Sequence, residues 1–236
     1  MSRALRPGVW HAATGTGIIG IMPTEPTHLR SLACAIMVAA MVALLTGCAS
    51  SPPREQHNLC AIFEQHPDWY DDARAAQERW GTPIHILMAF IRFESNFRQK
   101  AKPPREYVLG IIPWGRQSSA YGYAQIKDPV WGEYKEARSG FLRSRTDMTD
   151  VLDFIGWYNH HSAQRLGLSK WNAKHLYLAY HEGRSGYRSK RWRNKRGLMR
   201  TAERVDKRAR EYGAQLRRCE HRFRCDGMLE FWPLCR

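Results

Sequence analysis

The chain has 236 residues, six of them cysteine, and its 37 lysines and arginines outnumber 22 aspartates and glutamates to give a net charge of +15. That length supports one domain with its own core, and the lack of an internal repeat or low-complexity stretch sets aside repeat architectures and disordered tracts. So positive a surface suits a polyanion or an anionic membrane.

The first hydrophobic element is a run from Ser31 to Leu45, preceded by His28-Leu29-Arg30 and ending in Leu45-Thr46-Gly47-Cys48. A charged start, a short apolar core and a small residue before cysteine make a secretory signal. The ending resembles a bacterial lipobox, which implies cleavage before Cys48 and a diacylglycerol on its thiol. The alternative, a membrane-spanning anchor, prefers ~20 apolar residues, more than this run offers. Ala49 stands where similar lipoproteins carry the aspartate of inner-membrane retention, so the expected place is the outer membrane of a Gram-negative cell, facing the periplasm. Residues 1–21 precede a second methionine, Met22, and have no signal character, leaving the start open between Met1 and Met22.

Residues 1–47 are therefore extension and signal, and residues 48–57, with Pro52-Pro53, a polar tether that acts as a spacer. The folded domain spans 58–219, followed by a tail over 220–236. A helical pattern covers 58–80, with Asp68 as N-cap and Gly81 as its stop. Pro83 then opens an apolar helix that ends in Glu94-Ser95. Leu87, Phe90 and Ile91 precede Glu94 at helical spacing, so the carboxylate projects from the core-facing stripe. A carboxyl there, near the negative end of its helix dipole, is pushed toward its neutral form. Residues 96–119, rich in proline and glycine, read as a long ordered loop of functional type. Tyr121-Gly122-Tyr123-Ala124-Gln125-Ile126 comes next, then a helix that Asp128 caps and Pro129 starts. Further helices cover 147–161 and 172–182, the latter closed by Gly183. A loop-like basic segment spans 184–196. The final helix, 197–218, aligns Val205, Ala209, Tyr212 and Leu216. No strand-type alternation stands out, so the fold class is mainly α.

Three pieces now stand in order: Phe93-Glu94-Ser95-Asn96-Phe97, Gly122-Tyr123-Ala124-Gln125-Ile126, and Ala179-Tyr180-His181-Glu182-Gly183. Together they resemble the lytic transglycosylases, the soluble lytic transglycosylase domain of the lysozyme superfamily, over roughly residues 68–186. That family is marked by Glu-Ser, Gly-Leu-Met-Gln and Ala-Tyr-Asn-Ala-Gly. Tyr123-Ala124 replaces Leu-Met here and His181-Glu182 replaces Asn-Ala. The resemblance implies a goose-type-lysozyme-like helical fold and peptidoglycan glycan strands as substrate. It makes Glu94 the catalytic acid, oriented by Tyr180. Ser95, Tyr121, Gly122, Tyr123, Gln125 and His181 join Tyr180 as substrate-binding positions.

A glycosidase normally needs two carboxylates. A lytic transglycosylase manages with one, the resemblance implies, because Glu94 protonates the glycosidic oxygen and then takes the proton of the 6-hydroxyl as a 1,6-anhydro ring closes. Asp128 reads better as a helix cap and Asp153 as a surface or ion-pair residue. Glu182 sits beside the third motif and is harder to set aside. Trp114, Tyr121, Tyr123 and Trp131 offer flat faces for sugars, although core packing competes for them. No His spacing of metal type occurs and no serine elbow surrounds Ser95, so no metal or cofactor is expected. The expected state is a monomer that does not bind nucleic acid. The rivals are a hydrolysing muramidase and a non-catalytic wall-binding lipoprotein.

Cys60, Cys219, Cys225 and Cys235 remain for an exported fold and suggest two disulfides, with a zinc site at Cys219, His221, Cys225 and Cys235 as the weaker alternative. Cys60 begins the domain and Cys219 comes directly after its last helix, so Cys60–Cys219 with Cys225–Cys235 is the expected pairing. Cys219–Cys225 with Cys60–Cys235 is the alternative.

Overall fold

The structure, a computed structural model, describes residues 51–224 apart from 110 and 141. Cys48, Cys225 and Cys235, and with them the lipid site and any second disulfide, lie outside the described residues.

Where one helix is expected over 58–80 there are two, α1 (Leu59–Gln65) and α2 (Asp68–Trp80). Pro67 separates them, because the residue before proline is pushed out of the helical region, and His66 has φ −133° and ψ 76°. Asn58, not Asp68, is the side-chain cap, accepting from the amides of Cys60 and Ala61. Gly81 ends α2 in the left-handed conformation.

Helix α3 (Ile84–Ser95) is the centre of the domain, with its residues from Ile86 to Ile91 all buried. A helix apolar nearly all round must be surrounded, and α7 (Arg196–Cys219) packs along it. Behind α3 come a hairpin, β1 (Arg105–Val108) and β2 (Ile112–Arg116), then α4 (Asp128–Ala137), α5 (Met148–Leu166) and α6 (Ala173–Arg188). Short 3-10 turns at Arg191–Asn194 and Glu220–Arg222 flank α7. Helix α5 lies on α2, and α6 bridges α5 and α7.

Two departures concern the loops. Residues 96–119 contain the antiparallel hairpin, and the basic segment after Gly183 is not loop-like, since α6 resumes to Arg188 beyond one kinked residue. The tether is partly docked as well: the Tyr212 hydroxyl donates to the Gln56 carbonyl, and the Gln215 side chain donates to His57 O (3.0 Å) and accepts from Leu59 N (2.8 Å).

Cys60 and Cys219 form a disulfide with Cα atoms 6.1 Å apart, closing nearly the whole domain into one loop. Among the described residues no helix is long and apolar enough to cross a membrane.

Candidate active site

Glu94 stands in the last turn of α3, and the chain leaves that helix through an unusual turn. Asn96 and Phe97 both have positive φ (55° and 58°), and strain of this kind in non-glycine residues persists only where surroundings enforce it. Here Phe97 is fully buried and stacks on Trp69 at 5.8 Å, holding the chain in place directly after Glu94-Ser95. The Ser95 hydroxyl turns back to donate to Ile91 O (3.3 Å) inside the core, so it supports the helix end and does not open to solvent.

The second motif is a closed loop. Tyr121 and Ile126 exchange backbone hydrogen bonds (3.2 Å each), and the Gln125 side-chain amide donates to Ala101 O and Gly122 O, both at 3.0 Å. Gly122 has φ 80°, and a Cβ on it would lie 1.9 Å from Arg145 O, so only glycine fits. Arg145 braces the loop further, donating to Ile126 O (2.7 Å) and pairing with Asp128 (2.7 Å). Asp128 is thus an ion-pair partner at the first position of α4 and not its cap.

The third motif ends at Gly183, whose φ of 73° and ψ of 159° break α6 and let the chain turn away behind Glu182. The Tyr180 hydroxyl donates to Ala124 O (2.7 Å), fastening the third motif to the second, while its ring stands edge-on to Phe90 of α3 at 5.5 Å.

Glu94, Gln125, Tyr180, His181 and Glu182 share one groove of about 620 Å³, with Tyr158 and Phe154 of α5 along its floor and Pro103, Pro104 and Gln117 at the hairpin base. Glu94 is partly exposed to this groove. Burial nonetheless pushes its carboxyl up to about 7, with a hydrogen bond from the Tyr177 side chain acting in the opposite direction. Tyr177, one turn before Tyr180, thus acts on Glu94 as well, beside the Tyr180 that the resemblance implied. The Tyr180 phenol is itself held far above its ordinary range by burial and by Glu94. Sequence spacing contained a clue: Tyr177 and Tyr180 lie on one face of α6, and both rings meet Phe90, four residues before Glu94.

Glu182 differs in kind from Glu94. Burial pushes its carboxyl up, but Lys195 (2.7 Å) and His181 (3.3 Å) outweigh that and hold it below the usual range. The groove thus contains one carboxyl suited to be protonated near neutrality and one held ionised.

Three expected sugar contacts lie elsewhere. Tyr123 is buried edge-on against Trp69, and Trp131 is buried against Tyr134 and Phe154, because aromatic bulk beside α3 is needed for core. Tyr121 engages two cations, with Lys102 at 5.2 Å and Arg145 at 5.4 Å from its ring. Gly122 acts through its backbone alone. Asp153 is not at the surface: it is buried and binds the Tyr134 hydroxyl (2.7 Å), Trp80 Nε1 (2.8 Å), Arg79 (3.2 Å) and Arg138 (3.4 Å), a hub joining α2, α4 and α5. Among the described residues no group of three His, Cys, Asp or Glu side chains is placed to hold a metal.

No curated protein and no solved structure matches the chain. The family described as "Transglycosylase SLT domain" matches residues 36–219, a span that holds Glu94, the closed Gly122–Ile126 loop and the Tyr180 motif. With that span covering most of its length and with this mainly helical architecture, the chain belongs to the transglycosylase SLT domain family of lytic transglycosylases.

Proposed function

We propose that the protein cleaves the β-1,4 bond between N-acetylmuramic acid and N-acetylglucosamine in peptidoglycan without hydrolysis, Glu94 acting first as acid and then as base. The observation that carries this reading is the carboxyl of Glu94, raised to about 7 by burial at the groove. Protonated Glu94 gives its proton to the glycosidic oxygen. The C1–O bond breaks, the departing chain keeps a hydroxyl, and the 2-acetamido carbonyl supports the developing cation at C1. The Glu94 carboxylate then removes the 6-hydroxyl proton while O6 bonds to C1, which closes the 1,6-anhydro ring and restores the acid. Burial serves both steps, because it favours the neutral acid at the start and a more basic carboxylate afterwards.

A second reading rests on Glu182, an ionised carboxylate lining the same groove, which suits activation of water in a hydrolytic muramidase. Its tie to Lys195 and His181 favours a structural or substrate-positioning role instead. Mass spectrometry of muropeptides released in heavy-oxygen water separates the two. Anhydro ends without label support transglycosylation, and labelled reducing ends support hydrolysis.

The same reading places the enzyme in the periplasm as a monomer on a lipid at Cys48. The sequence from Ser31 to Cys48, with Ala49 after it, supports an outer-membrane anchor. Metabolic labelling with a fatty acid that marks Cys48→Ser as strongly as the parent would count against that anchor.

A further inference from the structure

The hairpin β1–β2 is exposed on both faces along its whole length. A two-stranded ribbon with nothing packed on it has no core to fill, yet Leu109 is 86% exposed, Ile111 78% and Trp114 75%. Val108, Ile112 and Tyr107 are exposed too, so six large apolar side chains sit together on one exposed ribbon.

Their order along the ribbon is informative. Leu109 and Ile111 occupy the turn and Val108 faces Ile112 next to it. Tyr107 faces Pro113 one level back, where Trp114 is the extra residue of a bulge, and Arg105 faces Arg116 at the base. From the tip the sequence of levels is aliphatic, aromatic, cationic. That is the order a bilayer surface presents to an inserting element: acyl chains, then the interface where Trp and Tyr concentrate, then phosphates.

We propose that this hairpin docks the domain on an anionic phospholipid surface, with Val108, Leu109, Ile111 and Ile112 at the acyl boundary, Tyr107 and Trp114 among the headgroups, and Arg105 and Arg116 on phosphates. At ~3.3 Å per residue the aromatic level lies about 7 Å behind the tip, within the ~5–10 Å to which interfacial elements bury. The outer edges of the two strands still need water for their unpaired amides and carbonyls, which limits insertion to the tip. Charge complementarity agrees: Lys102, Arg105 and Arg116 stand at the base against the single acid Glu106, on a chain of net charge +15. A glycan is the other occupant to weigh, since Pro103, Pro104 and Gln117 at the hairpin base line the groove. Sugars stack on ring faces, however, and gain little from four aliphatic side chains at a tip that does not line the groove.

The test uses the mature chain from residue 48 with Cys48→Ser, so that neither the apolar signal run nor a lipid on that thiol contributes, and vesicles rich in phosphatidylglycerol. Leu109→Asp with Ile111→Asp lowers vesicle partitioning by about tenfold or more, given the cost of a carboxylate at acyl depth. Cleavage of detached, soluble glycan strands by the same variant stays near the parent's rate. Brominated phospholipids quench the parent's fluorescence more than that of Trp114→Phe, the difference isolating Trp114. Unchanged partitioning, or equal quenching of parent and Trp114→Phe, overturns the proposal. So does loss of strand cleavage with partitioning intact, which would assign the hairpin to the glycan, or loss of a dimer with partitioning intact, which would assign it to a second copy. The soluble-strand assay also reads transglycosylation by itself, so a failure of this inference and a failure of the proposed reaction give different results.

Discussion

The Tyr180 hydroxyl donates a 2.7 Å hydrogen bond to the backbone carbonyl of Ala124, so one bond joins two motifs 56 residues apart in sequence. It ties the α6 wall of the groove to the closed loop that carries Gln125. Tyr180→Phe leaves that carbonyl without its partner, a loss of about 1–3 kcal/mol. Its expected signature is a lower melting temperature together with a lower kcat, because the loop loses its fastening to α6. An unchanged kcat at a lower melting temperature would reduce Tyr180 to a stability role.

Glu94→Gln abolishes both proton transfers, each worth about 10²- to 10⁴-fold, so release of muropeptides falls by orders of magnitude while binding to insoluble peptidoglycan persists. A folded-state pKa raised above the ordinary glutamate value contributes stability that is present below the ordinary value and is lost as pH rises through about 7. Glutamine has no such loss. At pH 8 the variant is therefore expected to melt no lower than the parent, which separates lost chemistry from lost fold.

The acid must be protonated when substrate arrives, so kcat/KM is expected to fall above about pH 7 with a slope of one proton. The Tyr177 hydrogen bond opposes the burial that raises this carboxyl, so removing it raises the carboxyl further. Tyr177→Phe moves the alkaline limb of the pH profile to higher pH. A limb that stays in place, or moves down, would show that Tyr177 does not act on Glu94.

Asp153 contributes through burial that raises its carboxyl and through Tyr134, Trp80, Arg138 and Arg79, which together outweigh burial and hold it below the usual range. Such a depressed group stabilises the fold above the ordinary aspartate value, and the contribution fades as pH falls through the lower folded value. Asp153→Asn is expected to cost about 3 kcal/mol at pH 7, with the gap to the parent closing in acid, as read by thermal unfolding. A gap independent of pH would point to packing rather than charge.

Joining Cys60 to Cys219, 159 positions apart, removes about 4–5 kcal/mol of chain entropy from the unfolded state. Cys60→Ser with Cys219→Ser should lower the melting temperature by on the order of 10 °C and leave turnover at 25 °C close to the parent's. Non-reducing peptide mapping that joins Cys219 to Cys225 would contradict the pairing.

Residue type and spacing alone determined much of this protein. Periodic apolar positions marked α3 and α7, Gly81 marked the end of α2 and Gly183 the break in α6, and Glu94, Gln125 and Tyr180 stood out because their chemistry is local to short motifs. Other features required the folded chain, for identifiable reasons. The hairpin left no alternating pattern, since period two records one buried face and this ribbon has none. Tyr123 and Trp131 could serve sugar or core equally well in sequence, and only packing against Trp69 and Tyr134 sent them inward. The helical pattern around Asp153 gave no sign of the distant arginines that make its burial tolerable. Arg145 and Lys195 act across elements on the Gly122 loop and Glu182, pairings that depend on three-dimensional distance and leave no spacing in the chain.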